Sequence, residues 1–426
     1  MTQQPYELSA IESARRIARG ELTSEALVIS CLDRIAARED AVHAWAFLDP
    51  EYAVKQARAI DRERPRSLLH GVPVGIKDVI DTSDMPTEYN SPIYRGHRPK
   101  SDSACVTLLR KAGCVLLGKT VTTEFAYNHP SCTRNPHNLA HTPGGSSSGS
   151  AAAVADRMIP LALSTQTGGS TIRPAAFCGT VGYKPSFNTI NRAGLKVLAE
   201  SLDTIGVLAR NAVDAMTCVH ILSDRALPDF SSTAPRTPRI GLCRTSRWDE
   251  VDNVARAEIE RVADLLGKAG AEIREFALED NEILLEVHDC IMSYEAARAL
   301  AWEYLHHRDQ FSTSLCSRLR KGWAQTREGY ETARTLGRTC RRRLTDWMRN
   351  YDFLLTPAAL GEAPAGNDTT GSSLFNRAWT ALGVPCVTVP SGKGARGLPL
   401  GVQLVGQFDR DSELLSWAHW AERRIA

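Results

Sequence analysis

Two glycine-flanked serine clusters, separated by one short helix and one short strand, constrain this chain more than any other feature. Residues 144–155 read Gly-Gly-Ser-Ser-Ser-Gly-Ser-Ala-Ala-Ala-Val-Ala, and residues 166–173 read Gln-Thr-Gly-Gly-Ser-Thr-Ile-Arg. The Ala-rich stretch, opened by small hydroxyl residues, predicts a helix starting just after Ser146. Residues 159–165 predict a strand returning from it. A helix that leaves one edge of a sheet and a strand that comes back bring both ends to the same edge, so Ser146 and Ser170 are expected close in space. The lengths agree: about ten helical residues span about 15 Å, and a strand rising about 3.3 Å per residue covers a similar or greater distance.

The glycines matter for the backbone. Gly168 and Gly169 allow conformations closed to other residues, so successive N–H groups can converge on one point, as an oxyanion hole requires. Pro174 suits the first turn of a helix starting near Arg173, where its missing N–H is tolerated.

Upstream, Val72-Pro-Val-Gly-Ile-Lys77-Asp is an apolar strand closed by a lone lysine. Burial would lower the lysine pKa and make it a base. Moving it from about 10.4 to about 8 corresponds to roughly 3.3 kcal/mol. Asp78, next along a strand, would point to the opposite face. The set is a nucleophile, a relay hydroxyl and a base, suited to acyl transfer from an amide without histidine. By itself, a lysine ending a strand also fits a solvated surface residue.

Other readings compete for the serine loops. A Gly/Ser-rich stretch can be a linker, but this one leads into an Ala-rich helix in mid-chain. A phosphate loop would end in Gly-Lys-Ser/Thr, which is missing. Gly145-Ser-Ser147-Ser-Gly149 matches the nucleophile elbow Gly-x-Ser-x-Gly, which would make Ser147 the nucleophile. An elbow follows a strand, whereas Asn135-Pro-His-Asn-Leu-Ala-His-Thr-Pro143 reads as loop, and no His-Gly-Gly motif offers a second oxyanion donor.

Elsewhere, residues 7–38 show helical periodicity in two helices, with Thr23 or Ser24 as a cap between them. Strands are expected at 71–80, 114–118, 239–243, 271–277, 353–356, 386–389 and 401–405, and helices at 104–112, 252–269 and over most of 280–349. Strands alternating with helices predict an α/β fold, a large, mostly parallel mixed sheet sandwiched between helices. The chain is expected to form one domain over 1–426. It comprises N-terminal helices (1–65), a catalytic core (66–224), a Pro/Ser-rich linker (225–238) and a C-terminal portion (239–426) completing the sheet.

At 426 residues, 43% hydrophobic and 23% charged, the composition is that of a globular protein with a large core. The formal net charge of +2 gives no sign of a nucleic-acid or anionic-membrane partner. The arginines at 334, 338, 341, 342 and 343 read as a solvated helix face rather than an RNA site. No run approaches the roughly 20 apolar residues of a membrane span, and the start lacks the pattern of a signal peptide. Eleven scattered cysteines without Cys-x-x-Cys spacing suggest reduced thiols in the cytoplasm, with neither disulfides nor a metal site.

Several ordered motifs then converge. They are Gly71-Val-Pro-Val-Gly-Ile-Lys-Asp, Gly118-Lys-Thr-Val-Thr-Thr-Glu-Phe-Ala and Thr142-Pro-Gly-Gly-Ser-Ser-Ser-Gly-Ser-Ala-Ala-Ala-Val-Ala. Further on come Gly168-Gly-Ser-Thr-Ile-Arg-Pro, Gly182-Tyr-Lys-Pro-Ser, Ser201-Leu-Asp-Thr-Ile-Gly, Trp379-Thr-Ala-Leu-Gly-Val-Pro and Gly397-Leu-Pro-Leu-Gly-Val-Gln-Leu-Val-Gly. Over nearly its whole length the chain resembles the amidase signature family. The resemblance implies the fold of that family and a Ser–cis-Ser–Lys triad. Ser170 would be the nucleophile, Ser146 the bridging serine after a cis peptide bond, and Lys77 the neutral base. The N–H groups of Thr167, Gly168, Gly169 and Ser170 would form the oxyanion hole. Neither a metal nor an organic cofactor is implied.

One departure narrows the resemblance. Most members carry an acidic residue four before the nucleophile, where this chain has Gln166, and an arginine two after it, where Arg173 here follows by three. The variant resembles the malonamidase branch, which implies a small amide bearing a carboxylate, with Arg173 and Gln166 as substrate-binding residues. For Arg173, an internal ion pair or a cap on loop carbonyls is the competing role. Aryl, carbamoyl or biuret-like amides are alternative substrates, and a glutaminase subunit of a tRNA-dependent amidotransferase is an alternative role. The expected partner is a small-molecule amide, with no nucleic acid and no membrane; a homodimer is compatible. Tyr89, Phe375, Asn376 and Trp379 are candidates for lining the pocket.

Overall fold

The computed structural model describes residues 3–223, 225 and 237–425. The linker expected over 225–238 lies outside the described residues except at Arg225, Thr237 and Pro238.

Among the described residues eleven strands form one sheet: β1 (Trp45–Leu48), β2 (Pro73–Lys77), β3 (Val115–Thr120), β4 (Leu161–Gln166), β5 (Val181–Lys184), β6 (Thr204–Ala209), β7 (Arg239–Leu242), β8 (Glu272–Glu275), β9 (Phe353–Pro357), β10 (Cys386–Lys393) and β11 (Pro399–Val405). Their spatial order is β1-β3-β2-β4-β6-β5-β10-β11-β9-β7-β8. The sheet is mixed. β2 runs parallel to β3 and β4, and β7 parallel to β8 and β9. The central pairings β4–β6, β6–β5, β5–β10, β10–β11 and β11–β9 are antiparallel, as is β1–β3 at one edge.

Alternation along the strands shows why both faces are covered. Leu161 and Leu163 of β4 belong to one apolar cluster and Ala162 to another; Leu116 of β3 joins the first, Val115 and Leu117 the second. Successive side chains point to opposite faces, so a strand apolar at every position is buried on both.

The predicted helix after Ser146 is Ser148–Ala155, buried for all but its last residue and resting on the second cluster. Its small side chains allow close approach: a Cβ at Gly149 would lie 2.2 Å from the Ala44 carbonyl oxygen. At the N-terminus the helices are Ala10–Ala18 and Ser24–Val42, and the hydroxyl of Thr23 caps the second by accepting from the Ala26 N–H at 3.0 Å. The long helical stretch after 280 is broken into Asn281–Ala299, Ala301–His306, Thr313–Trp323 and Arg327–Trp347, with Ser312 and Thr326 capping the last two. Among the described residues no helix is long and apolar enough to cross a membrane.

Candidate active site

The C-terminal ends of β2 and β4, which share a parallel ladder, bring the candidate residues together. Lys77 is the last residue of β2, fully buried. Its Nζ lies 2.7 Å from Ser146 Oγ and 2.7 Å from Thr165 Oγ1. The peptide bond Gly145–Ser146 is cis. Ser170, also buried, sits between the end of β4 and the helix Ile172–Cys178, and its carbonyl accepts from the Ser147 N–H at 3.4 Å.

Lys77 differs from the other fully buried lysines in what surrounds it. Lys119 lies 3.3 Å from the Asp78 carboxylate and donates to the Ile80 carbonyl. Lys184 donates to the carbonyls of Pro185 and Val384. Carbonyls and carboxylates can only accept, so they favour the ammonium form. The partners of Lys77 are hydroxyls, which can also donate to a neutral amine. Burial pushes the Lys77 pKa well below its ordinary value, against the pull of Asp203. Asp203 itself is raised to about 6 by burial, although it accepts from the hydroxyl of Thr167 and the N–H groups of Leu198 and Ala199. Asp78 does turn away from Lys77, towards Lys119.

The loop 167–170 is held by its carbonyls. That of Thr167 meets His288 Nε2 at 2.8 Å, that of Gly168 accepts from the Thr380 hydroxyl at 2.8 Å, and that of Gly169 accepts from the Arg173 N–H at 3.0 Å. In a trans peptide the N–H points opposite to the carbonyl. Anchoring these carbonyls therefore fixes the direction of the N–H groups of Gly168, Gly169 and Ser170. A Cβ at Gly169 would fall 2.3 Å from Asn376 Oδ1, so only glycine fits there.

Gln166, expected from the sequence to bind substrate, has other partners. Its Oε1 accepts from the N–H groups of Thr171 and Ile172 at 3.0 and 3.1 Å, and its Nε2 donates to Thr380 at 3.1 Å. It does not line the cavity at Ser170. A neutral amide that both donates and accepts ties the strand end to the next helix start, a position from which it braces the loop.

Arg173 is buried and does line that cavity. Its Nη1 donates to the Gly371 carbonyl at 2.7 Å, and its Nη2 to the Gly145 carbonyl at 2.6 Å and the Thr370 hydroxyl at 3.1 Å. No ion pair involves it among the described residues, and burial, with Arg377 nearby, lowers its pKa to about 10. Ser147, the nucleophile of the elbow reading, is occupied by the backbone of Thr165, 3.3 Å from both its N–H and its carbonyl.

The cavity at Ser170 is small, about 60 Å3, against the 300–1,000 Å3 of a pocket for a drug-sized ligand. Sequence reading missed most of its wall: Tyr127, His288, Asp289, Met292, Arg318, Ser373 and Arg377. His288, Asp289, Met292 and Arg318 lie in helices recognised only by periodicity, which carries no site signal. Burial holds His288 neutral, its pKa lowered to about 4. Tyr89 lies on a separate groove, and Phe375, Asn376 and Trp379 are buried and do not line the cavity. The basic cluster is dispersed: Arg341 lies over the Phe408 ring, Arg343 pairs with Asp280, and Arg334 donates to the Tyr330 hydroxyl.

Known proteins agree with this architecture. The family profile described as "Amidase" matches residues 26–415. The chain is 32% identical to a glutamyl-tRNA(Gln) amidotransferase subunit of Oleidesulfovibrio alaskensis, over 99% of this chain and 98% of that protein. A crystal structure of an amidase superposes with a TM-score of 0.90 at 30% identity, covering 98% of this chain and 100% of that one. The native peptide amidase of Stenotrophomonas maltophilia gives 0.85 at 28% identity, over 99% and 98%. With a buried lysine, paired serines and a matching profile over most of its length, the chain belongs to the amidase family and is a hydrolase of amide C–N bonds.

Proposed function

We propose that the chain hydrolyses a small amide bearing a carboxylate, such as malonamate, through Lys77, Ser146 and Ser170. One observation carries the catalytic part: a fully buried lysine, held by hydroxyls alone, lies 2.7 Å from Ser146 Oγ. Neutral Lys77 takes the proton of Ser146 as Ser146 takes that of Ser170, and Ser170 Oγ attacks the amide carbon. The N–H groups of Thr167, Gly168, Gly169 and Ser170 stabilise the oxyanion. The relay returns the proton to the nitrogen as the C–N bond breaks, releasing ammonia or an amine. Water then attacks the Ser170 ester, and the acid product leaves with Ser170 restored.

The small cavity and the buried guanidinium in its wall support a compact, anionic substrate. The departures at Gln166 and Arg173 support the malonamidase-like branch, and the free cysteines support a cytoplasmic setting. The names of the curated relatives favour a second reading, the glutaminase subunit of a tRNA-dependent amidotransferase. Co-purification with a large partner, and ammonia release from glutamine only in its presence, would select that reading.

The test is ammonia release from a panel of small mono- and diamides with and without a carboxylate, by the native chain and by Ser170→Ala. The variant is expected to fold and to be inactive. Full activity in it would reject the assignment.

A further inference from the structure

Ser170 shares its cavity with three guanidinium groups, those of Arg173, Arg318 and Arg377, and with one carboxylate, that of Asp289. That carboxylate is already engaged. It accepts from Arg318 Nη1 at 2.5 Å and pairs with Lys321 on its outer side. His288 is neutral, so the cavity carries excess positive charge.

The three arginines are not equivalent. Arg318 is bound to Asp289, to the Ser293 hydroxyl and to the Tyr127 hydroxyl. Arg173 has three of its five N–H donors committed to the loops at 145 and 370–371, leaving one hydrogen on Nη1 and that on Nε, which is buried without a partner. The side chain of Arg377, on the helix Leu374–Leu382, makes no hydrogen bond or ion pair among the described residues, and its Nε is buried without a partner. The charged groups around it are Asp289 and Glu250, which attract it, and Arg318 and Arg247, which repel it. A donor shut off from water without an acceptor is unfavourable unless a ligand supplies one.

We propose that Arg377 is the residue through which this site reads substrate charge, pairing with the carboxylate of an amide whose carbonyl carbon lies at Ser170. Arg173 then acts first as a tie between loops, adding its spare Nε–H to the same anion. A planar carboxylate fits the fork of a guanidinium that has no other commitment. This assignment rests on the carboxylate-bearing substrate argued above and moves its main contact from Arg173 to Arg377.

The test compares malonamate with malonamide, which replaces the carboxylate by a second amide of similar size. The readout is the ratio of kcat/KM for the two in each enzyme, so that a general loss of activity or folding cancels. The native chain is expected to prefer malonamate. Arg377→Leu is expected to raise KM for malonamate by about 10- to 100-fold, as loss of a charged hydrogen-bonded contact implies, with malonamide changed much less. Inhibition by malonate should weaken by the same factor, and Arg377→Lys should keep part of the preference. A preference for malonamate that survives Arg377→Leu overturns the assignment while leaving the carboxylate-bearing substrate intact. A native enzyme with no preference overturns both.

Discussion

Gln166 and Thr380, 214 positions apart in the chain, meet side chain to side chain at 3.1 Å, and the Thr380 hydroxyl reaches on to the Gly168 carbonyl at 2.8 Å. The link joins the loop before the nucleophile to the helix Leu374–Leu382, which carries Arg377. Thr380→Val keeps the shape and removes the hydroxyl. It is expected to lower kcat by about 10- to 100-fold, within what a weakened oxyanion hole implies, with KM nearly unchanged. Steady-state kinetics would show this; an unchanged kcat would mean that the loop is held without Thr380.

Lys77 gives a prediction in which activity and stability move in opposite directions. A buried lysine whose folded pKa is depressed binds fewer protons when folded than when unfolded. Stability then rises with pH between the folded and unfolded pKa values. Lys77→Met should be inactive yet more stable at neutral pH, by about 1–2 kcal/mol in line with other relieved catalytic sites. The difference should shrink as pH climbs towards the unfolded lysine value, because both chains then hold a neutral side chain there. Thermal unfolding of the two proteins across that range decides it. A variant less stable than the parent throughout would show that Lys77 is charged in the folded protein.

The same depression sets the acid limb of activity. Lys77 acts only when neutral, so kcat/KM should rise with pH through its folded pKa and level off above it. His288 is already neutral above about 4 and contributes no limb near neutrality. His288→Gln should leave the profile in place, and a displaced limb in that variant would assign the titration to His288 instead.

Ser146→Ala leaves Lys77 with Thr165 alone, 2.7 Å away. Without that hydroxyl Lys77 loses the relay proposed to carry the proton from Ser170. Turnover should fall by about 10²- to 10⁴-fold, the range for losing proton transfer. Ser147→Ala should fall far less, since Ser147 is bonded to backbone. Equal losses would revive Ser147 as the nucleophile.

Arg173→Ala removes three hydrogen bonds to two loops from a fully buried position. Stranding the buried carbonyl of Gly145, with the half-buried one of Gly371 left to water, is expected to destabilise the fold by about 1–3 kcal/mol, the order of one unsatisfied group. Malonamate turnover should suffer only slightly more than malonamide turnover, by the single Nε–H that Arg173 adds to the anion. A stable variant that loses only malonamate turnover would return the carboxylate contact to Arg173.

Much of this protein was written locally. The paired Gly-Ser loops announced a turn-rich junction around a helix and a strand, and the helix Ser148–Ala155 and the strand Leu161–Gln166 lie where the Ala-rich and apolar runs placed them. The apolar run before Lys77 likewise marked a strand buried on both faces. Such features depend on propensity and period, which neighbours in sequence decide.

Partnership was not local. Three lysines end up fully buried, and only the fold decides that Lys119 meets a carboxylate, Lys184 carbonyls and Lys77 hydroxyls. The same holds for Gln166, read as a substrate ligand and found bracing a loop, and for Arg377, passed over between the pocket candidates Asn376 and Trp379 and found unpaired beside Ser170. Charge state and free donors are set by what surrounds a group in space, and in this chain those surroundings come from segments more than two hundred positions away.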